Sequence, residues 1–152
     1  MKIPVDINVK KRCITEEDRL KACDIADGEA FTYDINGTMT IGKGFIKLNY
    51  EENDGISVEE TLYGKNRRIV AVKKENAMLF TLFYEVGTRC SCFFSNDDKD
   101  GYVRVETNSL EVDLSEMGGC IHTDYVSEIV GAGVERVDLT LSITPSGKFL
   151  KS

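Results

Sequence analysis

His122 is the single histidine of the chain, so a mechanism needing an imidazole base must run through it. If its surroundings are a strand, Cys120, His122 and Asp124 share one face and Ile121, Thr123 and Tyr125 the other. Cysteine, histidine and aspartate in a row have the composition of a thiol nucleophile, its base and an orienting carboxylate. Same-face neighbours on a strand lie about 6.5–7 Å apart, however, beyond direct hydrogen-bond reach. The row therefore reads first as an ordinary outward face, with a thiol- or His-dependent enzyme using Cys120 and His122 as a remote alternative.

The other reactive groups fare similarly. Cys90 and Cys92 sit two apart, a spacing that packs small thiols beside Phe94, with no helix N-terminus to activate them. Asn96, Asp98, Asp100 and Gly101 fall at positions one, three, five and six of a calcium loop. The twelfth position, which should carry a bidentate carboxylate, is Thr107, and the flanks read as strands, so an acidic hairpin turn is expected. Glu51-Glu52 and Glu59-Glu60 are consecutive pairs that a strand sends to opposite faces, which prevents either from acting as a close acid/base pair. No catalytic residue, metal or cofactor follows from these patterns, and an enzyme is not expected.

These residues must be held by strands. Ile3, Val5, Ile7 and Val9 alternate with Pro4, Asp6, Asn8 and Lys10, and Val137, Leu139, Leu141 and Ile143 alternate with polar residues at the other end. Between them, runs rich in aromatic and β-branched residues are separated by short Gly-bearing breaks, most densely over Asn76 to Thr107. Only residues 15–28 read as a loop or one short helix, opened by Thr15 and Asp18 and cut off by Asp27-Gly28. Asn36-Gly37 reads as a bulge inside one long strand, because a turn there would orphan Thr38 to Ile41. Ser109 to Leu114 reads as a separate short strand, and the tail 146–152 as frayed.

The chain has 152 residues, with 19 lysines and arginines against 26 aspartates and glutamates and a net charge of −7. That balance argues against nucleic acid, whose affinity rests on clustered cations. No apolar run approaches the ~20 residues of a membrane helix. Five cysteines without metal spacing fit free thiols in a reducing compartment. The expectation is one cytoplasmic domain over residues 1–152. Roughly eight to ten antiparallel strands joined by hairpin-short turns favour an up-and-down barrel over a sandwich, which needs longer crossovers.

Several stretches resemble a known group. They are Gly37-Thr38 in a long second strand, Leu48-Asn-Tyr-Glu-Glu52, Phe80-Thr-Leu-Phe-Tyr-Glu-Val-Gly-Thr-Arg89, Val105-Glu-Thr-Asn-Ser-Leu110, and Gly118-Gly119 followed by Ile121-His-Thr-Asp-Tyr125. Their order is similar to that of the YwiB-like bacterial proteins, a family of unknown function. The likeness runs from about residue 30 to about residue 144. One departure is Phe93-Phe-Ser-Asn-Asp-Asp-Lys-Asp-Gly101, where the family tends to have a compact Tyr-x-Thr-Pro-x-Gly segment. The resemblance implies a calycin-like barrel, lipocalin-like in architecture, and no established activity.

Such a barrel is either filled by side chains or holds one small ligand. Tyr50, Tyr63, Tyr84, Tyr102 and Tyr125 suit a lumen wall or its mouth, because a ring with one polar end serves both an apolar interior and a wet rim. Glu85 and Arg89, flanking Val86-Gly87, are placed as a charge-paired rim beside them. The expected function is binding of a small hydrophobic or amphipathic molecule inside the barrel. The alternative from another class is a solid-cored interaction module, with a homodimer as one form.

Overall fold

The computed structural model describes residues 1–15, 29–52, 56–63, 68–75, 78–87, 89–95, 100–129 and 133–146. Among these, ten strands form: β1 Lys2–Thr15, β2 Glu29–Gly42, β3 Phe45–Glu51, β4 Ser57–Tyr63 and β5 Arg68–Glu75, then β6 Met78–Glu85, β7 Arg89–Ser95, β8 Asp100–Ser115, β9 Gly118–Ile129 and β10 Gly133–Pro145. Beyond Thr15, the segment expected as a loop or short helix lies outside the described residues. So does the tail after Ser146, whose own backbone N–H donates to the Pro4 carbonyl at 2.9 Å.

Each strand runs antiparallel to the next, and β1 lies between β2 and β10, so the sheet closes on itself as an up-and-down barrel. The closing ladder runs from Val5–Pro145 to Thr15–Glu135. Closure leaves the first and last strands no free edge. Alternation places one apolar set inside. Ile3, Val5, Ile7 and Val9 are buried with Met39, Leu48, Val105, Ile121, Val137, Leu141 and Ile143 in a continuous core. Ile14 is the exception in phase: it pairs with Arg136 on the face opposite to this core, yet it is 1% exposed.

Two local expectations are corrected. The β1–β2 register continues unbroken through Asp6–Asn36 and Val5–Gly37, so no bulge interrupts β2. Gly37 serves close approach instead: a Cβ there would stand 2.6 Å from the Asn49 carbonyl oxygen and 3.1 Å from Tyr50 Cβ. The glycine makes room for its cross-strand partner, Tyr50. Nor is Ser109 to Leu114 a strand of its own. It continues β8, and a bulge between Thr107 and Ser109 absorbs the irregularity that the sequence presents as a break.

The wall is not uniformly stitched. β6 pairs along its whole length with β5, from Arg68–Glu85 to Glu75–Met78. β7 pairs along its whole length with β8. Between β6 and β7, Leu79–Ser95 and Phe80–Phe94 pair, and among the described residues the ladder does not continue toward the hairpin tip. The tip bends onto β8 instead, where Val86 bridges Thr107 and the Gly87 N–H reaches the Thr107 carbonyl at 3.4 Å.

Candidate functional site

Two regions gather chemistry, one inside the barrel and one on its outer wall. The inner one begins on β3 and β4. Leu48 and Tyr50 point inward, as do Val58, Glu60 and Leu62, because alternate residues of a strand share a face. This puts a carboxylate in the core with Glu60 at 6% exposure, and Tyr50 Oη donates to Glu60 Oε1 at 2.7 Å. Across the lumen, Tyr84 of β6 meets Tyr125 of β9 edge to face, with ring centroids 4.9 Å apart and an interplanar angle of 66°.

Burial governs the acidity of these phenols. It pushes Tyr50 well above the ordinary tyrosine range, and the neighbouring Glu60 charge and its hydrogen bond push in the same direction. Burial also raises Tyr125, opposed in part by its hydrogen bond with Tyr84. Both phenols are therefore hydrogen-bonding neutral groups at any physiological pH. Between Glu60, Ile69, Tyr84, Thr123, Tyr125 and Leu141 the lumen leaves a cavity of about 10 Å³, the room of one water molecule. Among the described residues, the rings of Tyr84 and Tyr125 line this cavity and Tyr50 is buried beside Glu60.

Of the seven expected site residues, Tyr50, Tyr84 and Tyr125 converge inside. Tyr63 and Tyr102 do not: they stand on the outside at 47% and 57% exposure. The Glu85–Arg89 rim pair does not form either. Arg89 reaches Glu106 on β8 at 3.4 Å, its direct cross-strand partner, while Glu85 lies opposite Arg68. Glu60 lies outside the expected site residues because Glu59-Glu60 reads as a pair that a strand splits between two faces, with neither face assigned to the core. The alternation Val58, Glu60, Leu62 was the signal that one of them is buried.

The outer region is a cross-strand row. Ile14, Arg136, Val126, Glu106 and Arg89 are successive ladder partners across β1, β10, β9, β8 and β7, and so share one face. With Asn108, Glu128 and Val134 they line a cleft of about 550 Å³, within the ~300–1,000 Å³ of small-molecule sites. Arg136 is committed to Asp124 by two hydrogen bonds, Nε to Oδ1 at 3.2 Å and Nη2 to Oδ2 at 2.9 Å. Arg89 is held less firmly, since both members of its pair with Glu106 are more than half exposed.

The same wall resolves the Cys120, His122 and Asp124 row. His122 Nε2 lies 3.0 Å from Asp138 Oδ1 on β10, and Asp124 is taken by Arg136. The imidazole is thus oriented by a carboxylate of another strand, not by the members of its own. Among the described residues, Cys13, Cys90 and Cys120 form no disulfide. Of the calcium-like loop, Asn96 to Lys99 lie outside the described residues. Thr107, its twelfth position, is buried in β8, and among the described residues no cluster of three candidate ligands gathers. Among these residues no helix is long and apolar enough to cross a membrane.

A family model described as a domain of unknown function, DUF1934, matches residues 19–141. No curated protein matches the chain. Among solved structures, the crystal structure of the ywiB protein from Bacillus subtilis is similar, with a TM-score of 0.74, 16% sequence identity, and coverage of 95% of this chain and 93% of that one. At that identity the likeness speaks for the fold alone.

Proposed function

The chain belongs to the DUF1934 family, a domain of unknown function, and from that footing we propose that it binds a small amphipathic carboxylate in the outer cleft of the barrel. The observation that carries this reading is the cleft of about 550 Å³ lined by Arg89, Arg136, Glu128 and Asn108 beside the apolar Ile14, Val126 and Val134. An acid group needs a cation that can leave its present partner. Arg136 is locked by its fork to Asp124, whereas Arg89 and Glu106 form an exposed pair of the kind that contributes only ~0–1 kcal/mol. Arg89 therefore receives the carboxylate at little cost, in the planar two-bond geometry that guanidinium favours. The apolar body of the ligand lies over Val126 and Val134, while Asn108 and Glu128 meet any polar substituent. Five cysteines without metal spacing support the further reading of a single domain working in the reducing cytoplasm.

Native mass spectrometry of freshly purified protein, set against its denatured mass, tests for a carried molecule. Titration with aryl and short alkyl carboxylates, followed through the methyl resonances of Ile14, Val126 and Val134, tests the site. Binding at those methyls, weakened roughly tenfold by Arg89→Ala, is the expected result. A panel that leaves all three unmoved overturns the proposal.

A further inference from the structure

We propose that the molecule taken by the outer cleft is a zwitterion, an apolar α-amino acid whose ammonium group meets Glu106 and Glu128 while its carboxylate sits on Arg89. This inference rests on the carboxylate reading of that cleft and names the group that must accompany the acid.

The charges around Arg89 call for a second charge on the ligand. Arg89 Nη2 lies 3.4 Å from Glu106 Oε2, so an acid group accepted by that guanidinium arrives beside a carboxylate. Glu106 and Glu128 both line the cleft. On the β8–β9 ladder Glu106 stands opposite Val126 and Arg104 opposite Glu128, which makes the two glutamates diagonal neighbours on one face, a separation that long side chains span. Arg136, the other cation lining the cleft, is spent on Asp124. Glu128 is half-buried, and among the described residues neither it nor Arg104 across the ladder forms an ion pair. A plain carboxylate on Arg89 would therefore face two anions at close range, and like charges so placed repel.

An ammonium on the carbon next to the acid reverses that repulsion. Its three donors serve both glutamates, and Glu106 regains from the ligand the cation that it yields when Arg89 turns to the acid. The apolar body has its place in the same pattern. Each glutamate has a valine as its direct cross-strand partner, Val126 for Glu106 and Val134 for Glu128, and both valines line the cleft. Charge and apolar surface thus alternate at the spacing of neighbouring side chains, about 4.5–5.5 Å, the scale on which an amino acid sets its charged end against its side chain. A dicarboxylate brings a further anion to the glutamates, and a bare amine leaves Arg89 without an acid, so neither matches the wall as the zwitterion does.

The test uses L-phenylalanine and 3-phenylpropanoate, which differ by the ammonium group alone, each titrated into the intact protein and followed through the methyl resonances of Ile14, Val126 and Val134. L-Phenylalanine is expected to bind roughly fivefold more tightly, the gain that partly exposed ion pairing supplies. In the double variant Glu106→Gln, Glu128→Gln that preference falls below about twofold, while 3-phenylpropanoate binds no more weakly than before. Equal or reversed affinities in the intact protein overturn the zwitterion and leave the carboxylate reading standing, and a preference that survives in the double variant does the same. Methyl resonances unmoved by both probes overturn the two readings together. Should the variant fail to fold, the comparison of the two probes in the intact protein decides by itself.

Discussion

Tyr50 donates its phenolic hydrogen to Glu60 across 2.7 Å inside the barrel, although the ladder pairs Tyr50 with Val58 and Glu60 with Leu48. The two meet on the diagonal of one face of β3 and β4, where long side chains reach each other. A buried carboxylate is expensive unless hydrogen-bonded, so this contact lowers the cost of holding Glu60 in the core.

Removing the donor should therefore cost more than removing the acceptor's charge. Tyr50→Phe leaves a buried carboxylate short of a partner and is expected to destabilise by about 1.5–3 kcal/mol, whereas Glu60→Gln, which keeps an acceptor, costs about 1 kcal/mol. Urea unfolding of both variants and of the pair measures this. Additive costs in the double variant would show that the hydrogen bond contributes nothing of its own.

Alkaline pH should loosen the barrel through the same phenols. Tyr50 and Tyr125 hold their protons in the folded state above the ordinary tyrosine value of 10.0, at which the unfolded chain releases them. Stability from this source is complete below that pH and is lost as pH rises above it, by up to ~1.4 kcal/mol per pH unit for each phenol. Urea midpoints across that range should fall more gently in the Tyr50→Phe, Tyr125→Phe double variant. An identical slope would assign the loss to other groups.

Glycines separate by what surrounds them. A Cβ at Gly37 meets the Asn49 carbonyl oxygen at 2.6 Å, an atom of the backbone that has little freedom to move, so Gly37→Ala should cost about 1–3 kcal/mol and disturb the Tyr50 ring. At Gly44, with φ of 77°, nothing lies within 4 Å, and alanine meets only the left-handed backbone cost of about 1–2 kcal/mol. Thermal unfolding compares them. Near-ultraviolet circular dichroism should change for Gly37→Ala alone, and an unchanged tyrosine signal there would contradict the packing described.

The two arginines of the outer wall should differ in the same measurement. Arg136→Ala breaks a forked, part-buried pair and leaves Asp124 at 15% side-chain exposure without its cation, for an expected loss of about 1–3 kcal/mol. Arg89→Ala removes a pair whose members are 63% and 52% exposed, and should change stability by less than about 0.5 kcal/mol. Equal losses would mean that Arg89 is held more tightly than its exposure implies.

The alternation in β1 and β10 and the glycine-marked breaks determined the strands and their inward residues, because a period of two is a property of the local chain. Those short connections also pointed to a ring of hairpins. Register and enclosure were decided only by tertiary structure, since they depend on which residue of a neighbouring strand stands opposite. That is why Tyr63 and Tyr102 face water while Tyr50, Tyr84 and Tyr125 are buried, and why Arg89 finds Glu106 rather than Glu85. It is also why His122 turns to Asp138, a residue sixteen positions away in the chain. Glu60 is legible as inward from its own strand, but its partner belongs to β3, and a single strand holds no record of what it will face.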